Sequence, residues 1–260
     1  MKFVVSLLLI FSSSLLAQEE EVPKHMRFVP LGEVPTWEEK IVDGIRIQQE
    51  HKPGDMPPND IMVEVRGASS ESTRMYLRKF TKWFTFSGAL EQVKIEQGKA
   101  GSVSPFINSP MPTALHTLGV LYRDSEEMTW LKPKIKVLRD DLTVFPLGTM
   151  RFVNLAHLKV LTKIGDAEPL LVEPGATVVH PIPQGGVTVQ VTAVVGDGEY
   201  QRIFNNDVVM RENQRVQSFI FKAQSPPPAN PVKFHFRPEI YEPPTNPAVN
   251  EESNDPESRP

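Results

Sequence analysis

The sequence has no cysteine, so neither disulfides nor thiolate metal centres nor cysteine nucleophiles are open to it. It also lacks Gly-x-Ser-x-Gly, the P-loop and Gly-x-Gly-x-x-Gly, which removes the signatures of α/β-hydrolases, P-loop NTPases and dinucleotide-binding folds. Beyond the first 17 residues no apolar run approaches the roughly 20 residues a membrane-crossing helix needs. A surplus of one charge is missing too. Lys plus Arg number 28 against 32 Asp plus Glu, a net charge of −4, and no basic stripe is interleaved with aromatics, so a nucleic-acid partner is not expected. The six histidines, at 25, 51, 116, 157, 180 and 235, form neither His-x-His nor His-Glu-x-x-His. No metal or other cofactor is expected from them.

Proline, by contrast, is abundant. There are 25 in the chain, ten of them in the last 36 residues, so long helices are disfavoured and the excess belongs to a C-terminal tail. At the other end, Met1-Lys2, the apolar stretch Phe3 to Leu16 and the small Ala17 precede the acidic run Glu19-Glu20-Glu21. That pattern reads as a signal peptide over 1–17 with cleavage after Ala17, and it implies export to the periplasm or beyond. With no disulfide available, stability must come from an adequate core, which a body of roughly 200 residues can supply.

The body reads as all-β. At Val187, Val189, Val191, Ala193 and Val195 the apolar residues take every second position, the pattern of a half-buried strand. Gly196-Asp197-Gly198 then offers a tight turn into a return strand from Tyr200 to Asn205. Further strands are expected at Ile61 to Val65, Met75 to Leu77, Lys82 to Ser87, Gln92 to Glu96, Ala114 to Tyr122, Ile135 to Leu138, Met150 to Leu155, Leu170 to Val172, Val178 to His180 and Arg215 to Lys222, and Leu158 to Ile164 is read as another, with a helix stopped by Gly165 as its alternative. Short strands at Met26 to Val29 and Ile45 to Ile47 precede them. Thr36-Trp37-Glu38-Glu39 matches a capping box for about two helical turns, ended by Gly44.

This spacing suits antiparallel β-sandwiches. Two tandem immunoglobulin-like sandwich subdomains are expected, with one large sandwich as the alternative. The organisation is a signal peptide (1–17), an N-terminal extended segment with short strands (18–58), subdomain 1 (59–141), subdomain 2 (142–224), a Pro-rich spacer with a terminal strand (225–242) and a disordered acidic tail (243–260).

Phe145-Pro146-Leu147-Gly148-Thr149-Met150-Arg151-Phe152-Val153-Asn154-Leu155, followed by Ile164-Gly165-Asp166 and Glu173-Pro174-Gly175, resembles uncharacterised exported β-rich proteins of verrucomicrobial and planctomycete-type bacteria. The resemblance covers about 35 residues closely and residues 60 to 222 loosely. It implies a β-sandwich and secretion but no activity, so no catalytic residue follows from it.

Candidate binding residues are few. Trp83 lies opposite Phe80, Phe84 and Phe86 in a strand-like run, and Trp83 or Trp130 could stack on a sugar ring; the alternative for Trp83 is to fill the junction between the halves. Phe234 and Phe236 share one face of Val232 to Arg237, which either docks on its own body, for instance beside Met26 to Val29, or adds as a strand to a partner. Asp140-Asp141 lacks the alternating oxygen ligands of a calcium loop and reads as a solvated turn. The function expected is an exported, non-catalytic module of the bacterial envelope, structural or interacting, with an envelope protein or polysaccharide as partner. A glycan-binding module and an enzyme with a dispersed site are the alternatives.

Overall fold

The computed structural model describes residues 22–65, 71–86, 92–99, 102–124, 126–196, 198–224 and 229–242. The expected signal peptide, the Asp197 turn position, the Pro226–Pro228 spacer and the acidic tail lie outside these residues. Among the described residues the protein is all-β, with no helix.

The first ten strands are β1 (Lys24–Leu31), β2 (Glu39–Val42), β3 (Ile45–Gln48), β4 (Asp60–Val65), β5 (Glu71–Arg74), β6 (Phe84–Phe86), β7 (Gln92–Lys99), β8 (Ser102–Pro110), β9 (His116–Tyr122) and β10 (Lys134–Arg139). They form two four-stranded sheets, ordered β10-β9-β1-β6 and β5-β4-β7-β8, plus the hairpin β2-β3. Eight strands follow: β11 (Thr149–Asn154), β12 (Val160–Ile164), β13 (Leu170–Val172), β14 (Thr177–Pro181), β15 (Gly185–Val195), β16 (Glu199–Met210), β17 (Gln214–Lys222) and β18 (Val232–Ile240). Their sheets are ordered β14-β11-β17-β18 and β13-β12-β15-β16.

The two sets have one wiring. In each, the first strand pairs in parallel with the seventh, β1 with β9 and β11 with β17, and the other pairs are antiparallel. Leaving out the β2-β3 hairpin, every strand of the first half has a counterpart at the same place in the second. The matching strands β1 and β11 also share a sequence, Met26-Arg27-Phe28-Val29-x-Leu31 against Met150-Arg151-Phe152-Val153-x-Leu155. Each half is a four-plus-four sandwich, so the immunoglobulin-like expectation holds at the level of two packed sheets, with one parallel pair in each.

Two boundaries move relative to the sequence reading. Residues 24–31, expected in an N-terminal extension, form an inner strand of the first half, because Met26 and Phe28 fill its core with Ile61, Val63, Phe84 and Val93. Residues 232–240, expected after subdomain 2, form an edge strand of the second half, paired with β17 and not with Met26 to Val29. The capping box at Thr36 starts no helix either. Asp43 and Gly44 both have positive φ, at 52° and 79°, the signature of the two-residue turn that closes a hairpin. Met75 to Leu77 is not a strand, and β8 had no counterpart among the expected strands.

The chain stacks four sheets deep. Each sandwich has its own core: Val187, Val189, Val191 and Ala193 on β15 face Met150, Phe152, Val216 and Ile220. Between the sandwiches the sheets carrying β1-β9 and β11-β17 meet face to face, through Val29, Leu31, Leu118, Val120, Val153, Phe219 and Phe221. These four strands are therefore buried on both faces. The same positions of each half supply the contact, as in the isologous interface of a two-fold dimer, but here fused in one chain.

Close approach of an aromatic ring explains one glycine, where the matching position of the other half is a serine. Gly119 lies opposite Phe28, and Ser218 lies opposite Phe152. A Cβ on Gly119 would come within 2.5 Å of the Phe28 ring, whose residue is fully buried. Gly119→Ala should therefore cost about 1–3 kcal/mol through overpacking. Urea unfolding checks this, and Phe28→Leu in the same chain should recover part of the loss; an unchanged midpoint for Gly119→Ala would contradict the packing described.

Candidate functional site

Where the two halves meet, alternation on the inner strands turns one side chain in two away from its own core and towards the other half. On β1 and β11 those positions begin with Arg27 and Arg151, on β17 with Arg215 and Gln217, and on β18 they include Glu239. The loop after β10 adds Asp140, which accepts four hydrogen bonds on its carboxylate. The donors are Arg27 Nη2 at 2.8 Å, Arg151 Nη2 at 2.6 Å, Arg215 Nη2 at 2.8 Å and Gln217 Nε2 at 3.1 Å. Glu239 binds Arg27 at 2.7 Å and Arg215 at 2.8 Å.

The arrangement follows the internal symmetry. Asp140 donates its amide to the carbonyl of His116 beside β9, and Glu239 pairs with Arg215 on β17; the registers of both halves place Asp140 and Glu239 at matching positions, as they do Arg27 and Arg151. Arg27 thus holds the carboxylate of its own half and that of the other. Three guanidiniums against two carboxylates leave one positive charge in excess, and aromatic faces receive it. Arg27 lies 4.3 Å from the Phe80 ring and 4.5 Å from Trp83, Arg151 lies 4.2 Å from Phe145, and Arg215 lies 4.5 Å from Phe145 and 4.3 Å from Tyr241.

Burial raises the Asp140 pKa, but the surrounding guanidiniums outweigh it and hold the carboxyl below its ordinary value. The Arg151 pKa is pushed down to about 10 by burial, against the pull of Asp140. Both groups remain charged near neutrality. Asp140 and Asp141 are therefore not a solvated turn: Asp140 is 0% exposed, and Asp141 Oδ1 accepts from the amides of Leu115 and His116 at 3.1 and 2.8 Å.

A cleft of about 780 Å³ opens beside this network. It is walled by Leu115, Leu142, Leu147, Ile240 and Tyr241, with Lys24, His116, Arg139 and Asp141 among its polar lining. Matching positions of the two halves contribute, Asp141 with Ile240 and Leu142 with Tyr241, so the cleft lies on the internal two-fold. Its size falls within the range of small-molecule sites. His116 stacks on His25 with ring centroids 5.3 Å apart and meets Trp83 and Tyr241 edge-on.

The residues singled out from sequence fall in different places. Trp130 is 1% exposed in the core of the first sandwich, so its ring has no open face for a sugar; it lies just before β10, where an apolar ring closes the core. Trp83 is half-buried within the first half, one face covered by Arg27 and its ring near-perpendicular to that of His116. Phe234 and Phe236 point into the second core, in contact with Phe204. They are used within the chain, while the alternate residues His235, Arg237 and Glu239 turn the other way. The arginines of the network were not found from sequence, although the repeated Met-Arg-Phe-Val-x-Leu, which puts a charge inside an apolar strand twice, marks two of them, Arg27 and Arg151. No known family model matches the chain, and no curated protein is similar to it in sequence.

Two tests follow from this geometry. Asp140→Asn leaves three buried guanidiniums to one carboxylate, at a cost of about 3–5 kcal/mol, whereas Lys52→Ala, which breaks an exposed pair with Glu38, should leave the urea midpoint nearly unchanged. Equal effects would contradict the assigned role of the network. The second concerns acid. Burial, then Arg78 and Arg237, push the His235 pKa down to about 4, and burial also lowers those of His25 and His116. The unfolded chain takes up these protons near the ordinary value of about 6.5 while the folded one resists. Stability is therefore present above pH ~6.5 and is lost as pH falls towards ~4. Urea midpoints across that window should drop in the wild type and drop less in His235→Gln.

Proposed function

We propose that the protein is an exported, non-catalytic module of the bacterial envelope, and that it works as an interaction protein through the cleft between its fused sandwiches. The observation that carries this reading is the contrast at the junction. The densest set of ionisable side chains among the described residues is spent on joining the halves, while the cleft beside it keeps apolar side chains open to solvent. Leu115 is 45% exposed and Ile240 is 62% exposed, which is costly unless something covers them. Export is supported by the charged, apolar and small-residue order of residues 1–17.

Absence of cysteine from the sequence gives a clean test. Leu142→Cys places one thiol at the cleft, and Leu171→Cys places one on the exposed face of β13 as a control. After export in the native host, a thiol-directed cross-linker should join a discrete envelope component to Leu142→Cys and not to Leu171→Cys. The mature protein should begin after Ala17 by mass spectrometry. Recovery from the cytoplasm with Met1 intact, or equal cross-linking from both positions, would overturn the proposal.

A further inference from the structure

The cleft's lining carries information about what fits it. Five of the lining side chains are large and apolar: Leu115, Leu142, Leu147, Ile240 and Tyr241. Its charged lining residues are Lys24, Arg139 and Asp141. Asp141 is turned inward: Oδ1 is taken by two backbone amides, and Oδ2 is a buried atom 3.6 Å from Arg139 Nε. The carboxylate is thus covered, whereas the Arg139 side chain is half exposed. Behind the wall lies the network of Arg27, Arg151 and Arg215 with Asp140 and Glu239, which carries one positive charge in excess. The field in the cleft is therefore positive, and a planar guanidinium at its rim suits a carboxylate.

From this geometry we infer that the cleft binds a free single-chain carboxylate amphiphile, its apolar chain along Leu115, Leu142, Leu147 and Ile240 and its head at Arg139. This inference rests on the reading of the cleft as the binding surface and names the chemistry it takes. A cationic amphiphile would meet Arg139 with like charge, and a neutral one would leave the head position unused. The cleft's volume of about 780 Å³ has room for a single alkyl chain and its head.

Titration calorimetry of the purified full chain tests it, with dodecanoate and dodecylammonium below their micelle concentrations, dodecanol below its solubility limit, and phosphatidylglycerol vesicles. Dodecanoate should bind with one-to-one stoichiometry, about tenfold more tightly than dodecylammonium, a difference of ~1.4 kcal/mol. Arg139→Gln should weaken dodecanoate by a similar factor and leave dodecanol unchanged, and Leu142→Asn should weaken both. Equal binding of the anionic and cationic chains, no binding of dodecanoate, no effect of Arg139→Gln, or binding to vesicles alone would each overturn it. If dodecanoate fails while Leu142→Cys still cross-links an envelope component, the ligand class is wrong and the cleft's role stands.

Discussion

Asp140 is the constraint on which the arrangement of the two halves depends. A carboxylate with no exposure remains ionised only if the desolvation is offset, and three guanidiniums from both halves offset it. The apolar residues around it, Val29, Leu118, Val120, Phe219 and Phe221, supply the larger part of the attraction, but apolar contact has no direction. The charged network does, since Asp140 and Glu239 accept from fixed nitrogens on β1, β11 and β17. It therefore sets the angle and register at which the two sandwiches meet.

The internal two-fold gives this network its form. A duplicated unit that packs by equivalent faces brings equivalent residues together at the axis, which is why Arg27 meets Arg151's carboxylate partner and Asp140 lies near Glu239. The halves have diverged around that plan. Where the first has His116, the second has Arg215, and the hairpin β2-β3 occurs only in the first among the described residues. These differences make the axis asymmetric, and the cleft on it has Asp141 and Arg139 from the first half and Ile240 and Tyr241 from the second.

Much of the β architecture was legible because outer strands expose one face to water. β15 alternates in the simple way, and its position and hairpin partner follow from that alternation. The inner strands β9, β11 and β17 are legible too, as apolar runs without clean alternation because both faces are buried, whereas β8, rich in Ser, Pro and Asn, carries no such run. Met26 to Val29 reads as a short outlying piece, and a first half expected from residue 59 starts instead at Lys24. The site was less legible still. Asp140-Asp141 has the composition of a surface turn, and only the facing arginines, from 27 to 215 along the chain, make it an interior pair. Trp130, whose ring suggests a sugar platform, is enclosed by neighbours distant in sequence. The repeated Met-Arg-Phe-Val-x-Leu was the one local trace of both the duplication and the network.

If the network couples the sandwiches, the chain should unfold as one unit although it has two cores. Native-state hydrogen exchange in low denaturant measures this directly, comparing amides of β4 and β7 in the first half with those of β12 and β15 in the second. In the wild type the slowest amides of both sets should exchange with the same free energy and the same denaturant dependence, and Asp140→Asn should separate them into two values. Two distinct opening energies already present in the wild type, or one common value retained in Asp140→Asn, would contradict the claim that this carboxylate makes the two halves one.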